Sequence, residues 1–356
     1  MASSLGSEIE SRTVGALGGH LAVYCEPRAN AASLPLLLHP SLRNEGTAHE
    51  AFMEADPDRD PRRWESGAAA RLQRMLGQSQ IGEIATALQR DDVIHLRGLP
   101  RDPISPPTPY EGDPDMSLLR LTLANLVGVM AVLGLQAFSY DCENDGRIVR
   151  HVCPRLAATG EASSQGWAKE LLWHADGAYR AIGDERNAVR SPAPRWLCWA
   201  VIHDSPSIPV TIVRLVDVLA SLDPATVETL LQPQFVVGPP DSFRDRTEAR
   251  SVPILVRDGK GGFYSRYNQA LCRGTTAAAC ASLEVMARAL ADRRLVHHVP
   301  IETGDIVILD NWRTLHMRPD FQPRWDGRDR WLLRIYGAEG GTSAVRAREH
   351  FPYCWR

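Results

Sequence analysis

The chain has 356 residues, 44% of them hydrophobic and 23% charged, with a net charge of −3. These values suit a globular protein and exclude a fully disordered, collagen-like or coiled-coil chain. No global basic field exists to recruit nucleic acid or an anionic membrane surface, so neither is an expected partner.

Lys169 and Lys260 are the only lysines among 40 basic residues, which reads as the arginine-rich coding of a GC-rich genome and not as chemistry. Seven cysteines form no CxxC pair. A disulfide framework or a cysteine zinc site is therefore not indicated, and reduced thiols in a cytoplasm are expected. Met1–Ser11 lacks the basic start and apolar core of a secretory signal.

Along the chain, Asp56–Arg63 and Arg101–Pro114 are polar and proline-rich and read as surface loops. Ser66–Leu76 and Ile81–Arg90 carry alanine and leucine at helical spacing. Asp92–Leu96 is a short β-like run before Gly98-Leu99-Pro100. Asn125 and Gln136 interrupt the apolar run Leu121–Phe138, leaving it short of the roughly 20 residues of a membrane span. It reads as a buried helix over Ser117–Leu135, with Ser117 as N-cap. From about residue 146, short β-like runs separated by turns dominate, ending with Asp305–Leu309 and Trp331–Tyr336. Helical stretches at Val216–Leu231 and Thr275–Arg294 intervene. Many short strands suggest a sandwich or jelly roll. The expected fold is mainly β with flanking α-helices, in one domain: an N-terminal flank over 1–116, a core over 117–340 and a tail over 341–356.

Three segments carry possible chemistry. In Leu171-Leu172-Trp173-His174-Ala175-Asp176-Gly177, residues i and i+2 of an extended strand share a side, so His174 and Asp176 can grip one metal ion. Alone, HxD is a weak signal. Far downstream, Gly304–Leu309 leads through Asp310-Asn311 into a second extended run ending at His316. Two histidines and one carboxylate on one face of a metal leave adjacent positions open, the arrangement of non-heme Fe(II) oxygenases. In Arg330-Trp331-Leu332-Leu333-Arg334-Ile335-Tyr336, two arginines an even number apart can face one cavity. Each can take a carboxylate through its fork.

This order of HxD, a long gap, GDIVILDNWRTLHMRPDF and RWDGRDRWLLRIY resembles the clavaminate-synthase-like branch of the Fe(II)/2-oxoglutarate dioxygenases, in the superfamily of taurine dioxygenase. The likeness is strongest over roughly residues 300–336, with a weaker match from Asp92 to residue 213. It implies a double-stranded β-helix (jelly roll) core and His174, Asp176 and His316 as Fe(2+) ligands. It further implies that Arg330 pairs with the C5 carboxylate of 2-oxoglutarate and that Thr211 offers a hydroxyl to this cosubstrate, with O2 consumed. Arg334 matches the arginine that holds a substrate carboxylate. Asn268, Glu143 and Tyr140 lie where relatives contact substrate. The implied partner is a small molecule, an amino acid or derivative, free or tethered to a carrier.

Two departures qualify the substrate. His174-Ala175-Asp176 stands where this branch usually has His-Thr-Glu, and Ser265–Ala270 lacks the acidic pair that arginine hydroxylases use for guanidinium. A buried unpaired guanidinium is costly, so a neutral or amide-bearing substrate is expected over arginine. The carboxylate at Asp176 also argues against a halogenase. Ala178–Pro194 reads as a lid or an ordinary loop. The implied outcome is hydroxylation of an unactivated C–H, with desaturation, epoxidation or cyclisation open to the same residues. The competing readings are a jelly-roll binding protein with a decayed site and a zinc hydrolase, for which no HExxH helix is present.

Overall fold

The computed structural model describes residues 24–25, 50–183, 185, 192–205, 207–244, 246–339, 346–348 and 351–355. Eighteen strands and five α-helices are described there. The N-terminal part holds β1 (Tyr24–Cys25), α1 (Pro61–Arg90), β2 (Val93–Leu96), α2 (Arg120–Val132), β3 (Leu135–Tyr140) and β4 (Arg150–Val152). The middle holds β5 (Leu171–His174), β6 (Trp196–His203), β7 (Val210–Arg214), α3 (Leu215–Ala220), α4 (Pro224–Leu230), β8 (Phe235–Val237), β9 (Ala249–Val252), β10 (Leu255–Arg257), β11 (Phe263–Ser265) and β12 (Cys272–Gly274). The C-terminal part holds α5 (Ala277–Leu290), β13 (His297–Val299), β14 (Ile306–Asp310), β15 (Thr314–Arg318), β16 (Trp331–Glu339), β17 (Arg346–Arg348) and β18 (Phe351–Trp355). The protein is thus mainly β with flanking helices.

The large sheet runs β1-β2-β14-β6-β16-β3-β18-β17, with β4 added on β16. A four-stranded sheet runs β13-β7-β15-β5. Strand alternation divides the large sheet into two faces. Leu197, Trp199 and Val201 of β6, with Val307 and Leu309 of β14, join a core shared with Val210, Ile212 and Leu315 of the smaller sheet. Their neighbours Cys198, Ala200, Ile306, Ile308, Leu333 and Ile335 join a second core, made with α1 and α2. The strands are therefore buried on both sides, which explains why they read as continuous apolar runs.

Several expected boundaries shift for physical reasons. The helix expected over Ser117–Leu135 starts at Arg120 and stops at Val132, because Gly134 turns the chain at φ 70° and Leu135 begins β3. Ser117 does not cap it: Asp102, from the preceding loop, accepts the Leu121 and Thr122 N–H groups at 2.9 Å. The loop reading of Asp56–Arg63 ends early, since Asp60 caps α1 and Pro61 is its first residue. The two expected helices, Ser66–Leu76 and Ile81–Arg90, form one run broken at Gly77. Val216–Leu231 divides into α3 and α4, with Asp223 accepting the Thr226 N–H at the second start. Of the expected lid, residues 184 and 186–191 lie outside the described residues; Ala178–Ile182 are buried.

Candidate active site

Antiparallel pairing of β15 with β5 sets His316 opposite His174. The turn after β5 brings in Asp176. Asn311, fully buried, clamps that turn: its Oδ1 accepts the Asp176 N–H at 2.8 Å, and its Nδ2 donates to the Asp176 and Pro194 carbonyls. One ligand atom from each of His174, Asp176 and His316 then lies within 4.8 Å of the others. The two Nε2 atoms stand 3.4 and 3.6 Å from Asp176 Oδ1.

The protonation pattern fits a metal. His174 Nδ1 lies 2.7 Å from the Leu172 carbonyl. A carbonyl only accepts, so Nδ1 carries the proton, which leaves Nε2 as the ring nitrogen that can face a metal. Burial, then the His174 ring, push His316 down to about 4, so its imidazole is neutral near pH 7. Burial works against ionising Asp176, but Arg334 and the two imidazoles outweigh it and hold the carboxyl well below its usual range. Two imidazoles and one carboxylate, with no thiolate, form a donor set that suits Fe(II).

β16 supplies the cavity wall by alternation: Leu332, Arg334 and Tyr336, with Arg330 just before the strand, line the cavity that holds the three ligand residues. Arg330 is 9% exposed. Among the described residues no carboxylate pairs with it, and burial, then the Arg318 charge, lower its pKa to about 9. Thr211, on β7, also lines the cavity, with its hydroxyl 3.1 Å from His298 Nδ1. Arg334 Nη1 donates to Asp176 Oδ2 at 2.8 Å, and Nη2 to Glu143 Oε1 at 2.6 Å. Its guanidinium lies 4.0 Å from the Tyr336 ring centre. Glu143 and Asn268 also line the cavity. Asn268 Oδ1 accepts the Ala270 and Leu271 N–H groups, leaving its amide nitrogen as the group it can offer.

Tyr140 is not brought to the cavity. It is fully buried behind it, donating to the Pro192 carbonyl at 2.5 Å beneath the Arg180 guanidinium. Sequence reasoning left out several residues that bear on the site. Arg318 lines the cavity two residues after His316, a spacing that could have flagged it. Trp199 sets its ring edge-on 5.4 Å from His316, Asn311 clamps Asp176, and Asp241 lines the cavity from a loop. Asp241 and Glu170, both acidic, line the cavity from outside Ser265–Ala270, so that stretch by itself does not exclude a cationic side chain.

Residues 241–336 match the family described as taurine catabolism dioxygenase TauD, TfdA family. An L-asparagine oxygenase of Streptomyces coelicolor is 30% identical over 252 residues, 69% of this chain and 71% of the relative. The chain belongs to the TauD/TfdA dioxygenase family. An L-lysine 3-hydroxylase of Catenulispora acidiphila is 26% identical over 286 residues, 77% of this chain and 74% of the relative. The crystal structure of an asparagine oxygenase with Fe(II), 3-hydroxyasparagine and succinate matches with a TM-score of 0.68 and 24% identity, over 88% of this chain and 93% of that one. The dioxygenase is of the non-heme Fe(II)/2-oxoglutarate-dependent class.

Proposed function

We propose that this dioxygenase hydroxylates an unactivated C–H of an amino acid or amino-acid-derived metabolite in specialised, antibiotic-type biosynthesis, in the cytoplasm. The ionic make-up of one cavity carries the reading. Its wall combines a His-Asp-His cluster, the uncompensated cation Arg330 and the buried Arg334–Glu143 pair. The names of the relatives support the amino-acid class.

His174, Asp176 and His316 hold the iron in this reading. Bound Fe(II) supplies O2 activation coupled to oxidative decarboxylation of 2-oxoglutarate to succinate and CO2, and with it removal of hydrogen from the substrate carbon. Arg330 takes the C5 carboxylate of 2-oxoglutarate through its fork, and Thr211 adds a hydroxyl. The buried Trp199, Val210 and Leu332 keep water away. Arg334 takes the substrate α-carboxylate while Glu143 takes its α-ammonium, so a zwitterion exchanges one ion pair for two. Asn268 contacts the rest of the substrate. This favours a free amino acid over a carrier-tethered one, whose α-carboxylate is consumed in the thioester. Desaturation, epoxidation and cyclisation would use the same residues.

A jelly-roll core and a one-domain organisation go with this reading. They are supported by the core shared between the two sheets and by α1 and α2 packing on the outer face of the large one.

Anaerobic reconstitution with Fe(II) and 2-oxoglutarate tests the reading. The expected result is a weak visible charge-transfer band that His316→Ala removes, followed by succinate release with a subset of amino acids. Tight zinc binding with no band in the unaltered protein would refute it.

A further inference from the structure

The two oxygens of Asp176 face different partners. Both imidazole Nε2 atoms approach Oδ1, at 3.4 and 3.6 Å, while Arg334 Nη1 donates to Oδ2 at 2.8 Å. Arg334 is anchored on more than one side. Glu143 accepts from its other terminal nitrogen at 2.6 Å, the Tyr336 ring stacks on it, and Arg334 and Glu143 are 6% and 3% exposed. Arg150, 3.4 Å from the same Glu143 oxygen, completes a chain of alternating charge. An aspartate has only two side-chain torsions, so one charge-assisted hydrogen bond to Oδ2 and the clamped backbone N–H together leave the carboxylate a single orientation.

We propose that Arg334 is a positioning residue for the metal centre: by occupying Oδ2 it makes Asp176 a one-oxygen ligand through Oδ1. This rests on the reading of His174, Asp176 and His316 as the metal ligands. A carboxylate free to chelate through both oxygens would take a coordination position that the keto acid or O2 needs. The Arg334–Glu143 pair therefore helps to keep open the face that a two-histidine, one-carboxylate site must present. It also links substrate to metal. A substrate carboxylate that draws Arg334 toward itself loosens the hold on Oδ2, so the head group of the substrate and the ligation mode of Asp176 are coupled through one guanidinium.

The test uses Arg334→Met in the full chain, loaded with Co(II) without 2-oxoglutarate. X-ray absorption reports whether the short metal–carbon distance of a chelating carboxylate is present. The expected result is its absence in the unaltered protein and its appearance in Arg334→Met. Co(II) affinity should be retained or tightened, while 2-oxoglutarate binding to the Fe(II) form, read from the charge-transfer band, weakens about tenfold, the scale of one lost charge-assisted hydrogen bond. A merely structural arginine would lower both affinities together and create no chelate. Either that pattern, or weaker 2-oxoglutarate binding without chelation, overturns the proposal, as does a chelating carboxylate in the unaltered protein. Should Arg334→Met leave Glu143 too costly to bury for folding, the double variant Arg334→Met with Glu143→Gln removes the pair together and is read in the same way. Failure of the unaltered protein to bind Co(II), or to form the Fe(II) band, would instead refute the dioxygenase reading on which the proposal stands.

Discussion

Arg330 makes a prediction in which stability and function move in opposite directions. Arg330 is 9% exposed and, among the described residues, has no carboxylate partner. Burial and the Arg318 charge bring its pKa down from the ordinary arginine range to about 9. At about 1.4 kcal/mol per unit, the folded protein holds this charge at a cost of roughly 5 kcal/mol. A folded pKa below the unfolded one means that the cost is fully present below pH 9 and is relieved only as pH rises through the ordinary arginine range. Arg330→Met keeps the apolar stem and removes the charge. Part of the gain is lost to imperfect packing, so about 1–4 kcal/mol of net stabilisation is expected, the range for replacing buried charges by apolar side chains. In a chain of this size that raises Tm by about 2–6 °C. The assay is thermal unfolding of the metal-loaded protein with and without 2-oxoglutarate. Without the cosubstrate, Arg330→Met should melt higher than the unaltered protein; with it, only the unaltered protein should gain stability. A variant that melts lower without cosubstrate, or that still gains from it, refutes the argument that Arg330 is an unpaid cation awaiting an anion.

Other predictions concern the fold around the site. His151 is buried, and its Nδ1 accepts the indole N–H of Trp331 at 3.2 Å; burial, followed by the Arg155 charge, lowers its pKa to about 4. Between pH 6.5 and 4 the unfolded state binds the extra proton, so stability falls as pH drops, by about 2 kcal/mol at pH 5. Urea unfolding at pH 7.5 and pH 5 should show His151→Gln losing less than the unaltered protein, and equal losses would sink the idea. At Gly128 in α2 an added Cβ would lie 2.8 Å from the Ala68 carbonyl oxygen of α1. Backbone cannot yield as a flexible side chain can, so Gly128→Ala should cost about 1–3 kcal/mol while leaving Fe(II) affinity within about twofold. Calorimetry and metal titration on the same sample check both halves.

The candidate site was legible where two of its residues lie close together on one extended run. His174 and Asp176, or Arg330 and Arg334, are separated by even numbers, and both members of each pair line the same cavity. Thr211 and Asn268 line that cavity too, but nothing local distinguishes them from ordinary strand and turn residues. Residues that act from a distance could not be read at all. Asp102 caps α2 from 19 positions upstream, and Asn311 clamps Asp176 across 135. Tyr140 shows the opposite failure. Its neighbourhood pointed to the substrate, but its ring faces Phe138, Tyr336 and Trp355 inside the core.

The sequence by itself determined the donor types, their order and the period-two faces of the strands, because these depend on side-chain chemistry and on the pleat alone. Only the tertiary structure decided how those groups are shared. Asp176 could have met a metal with either oxygen and Arg334 could have met any acid. The pairing of β15 with β5, and of β16 with β4 and β6, brings the buried Glu143 and Arg334 into one line with Asp176. In a medium that solvates charge poorly, each ion must then settle with the partner that the fold places beside it.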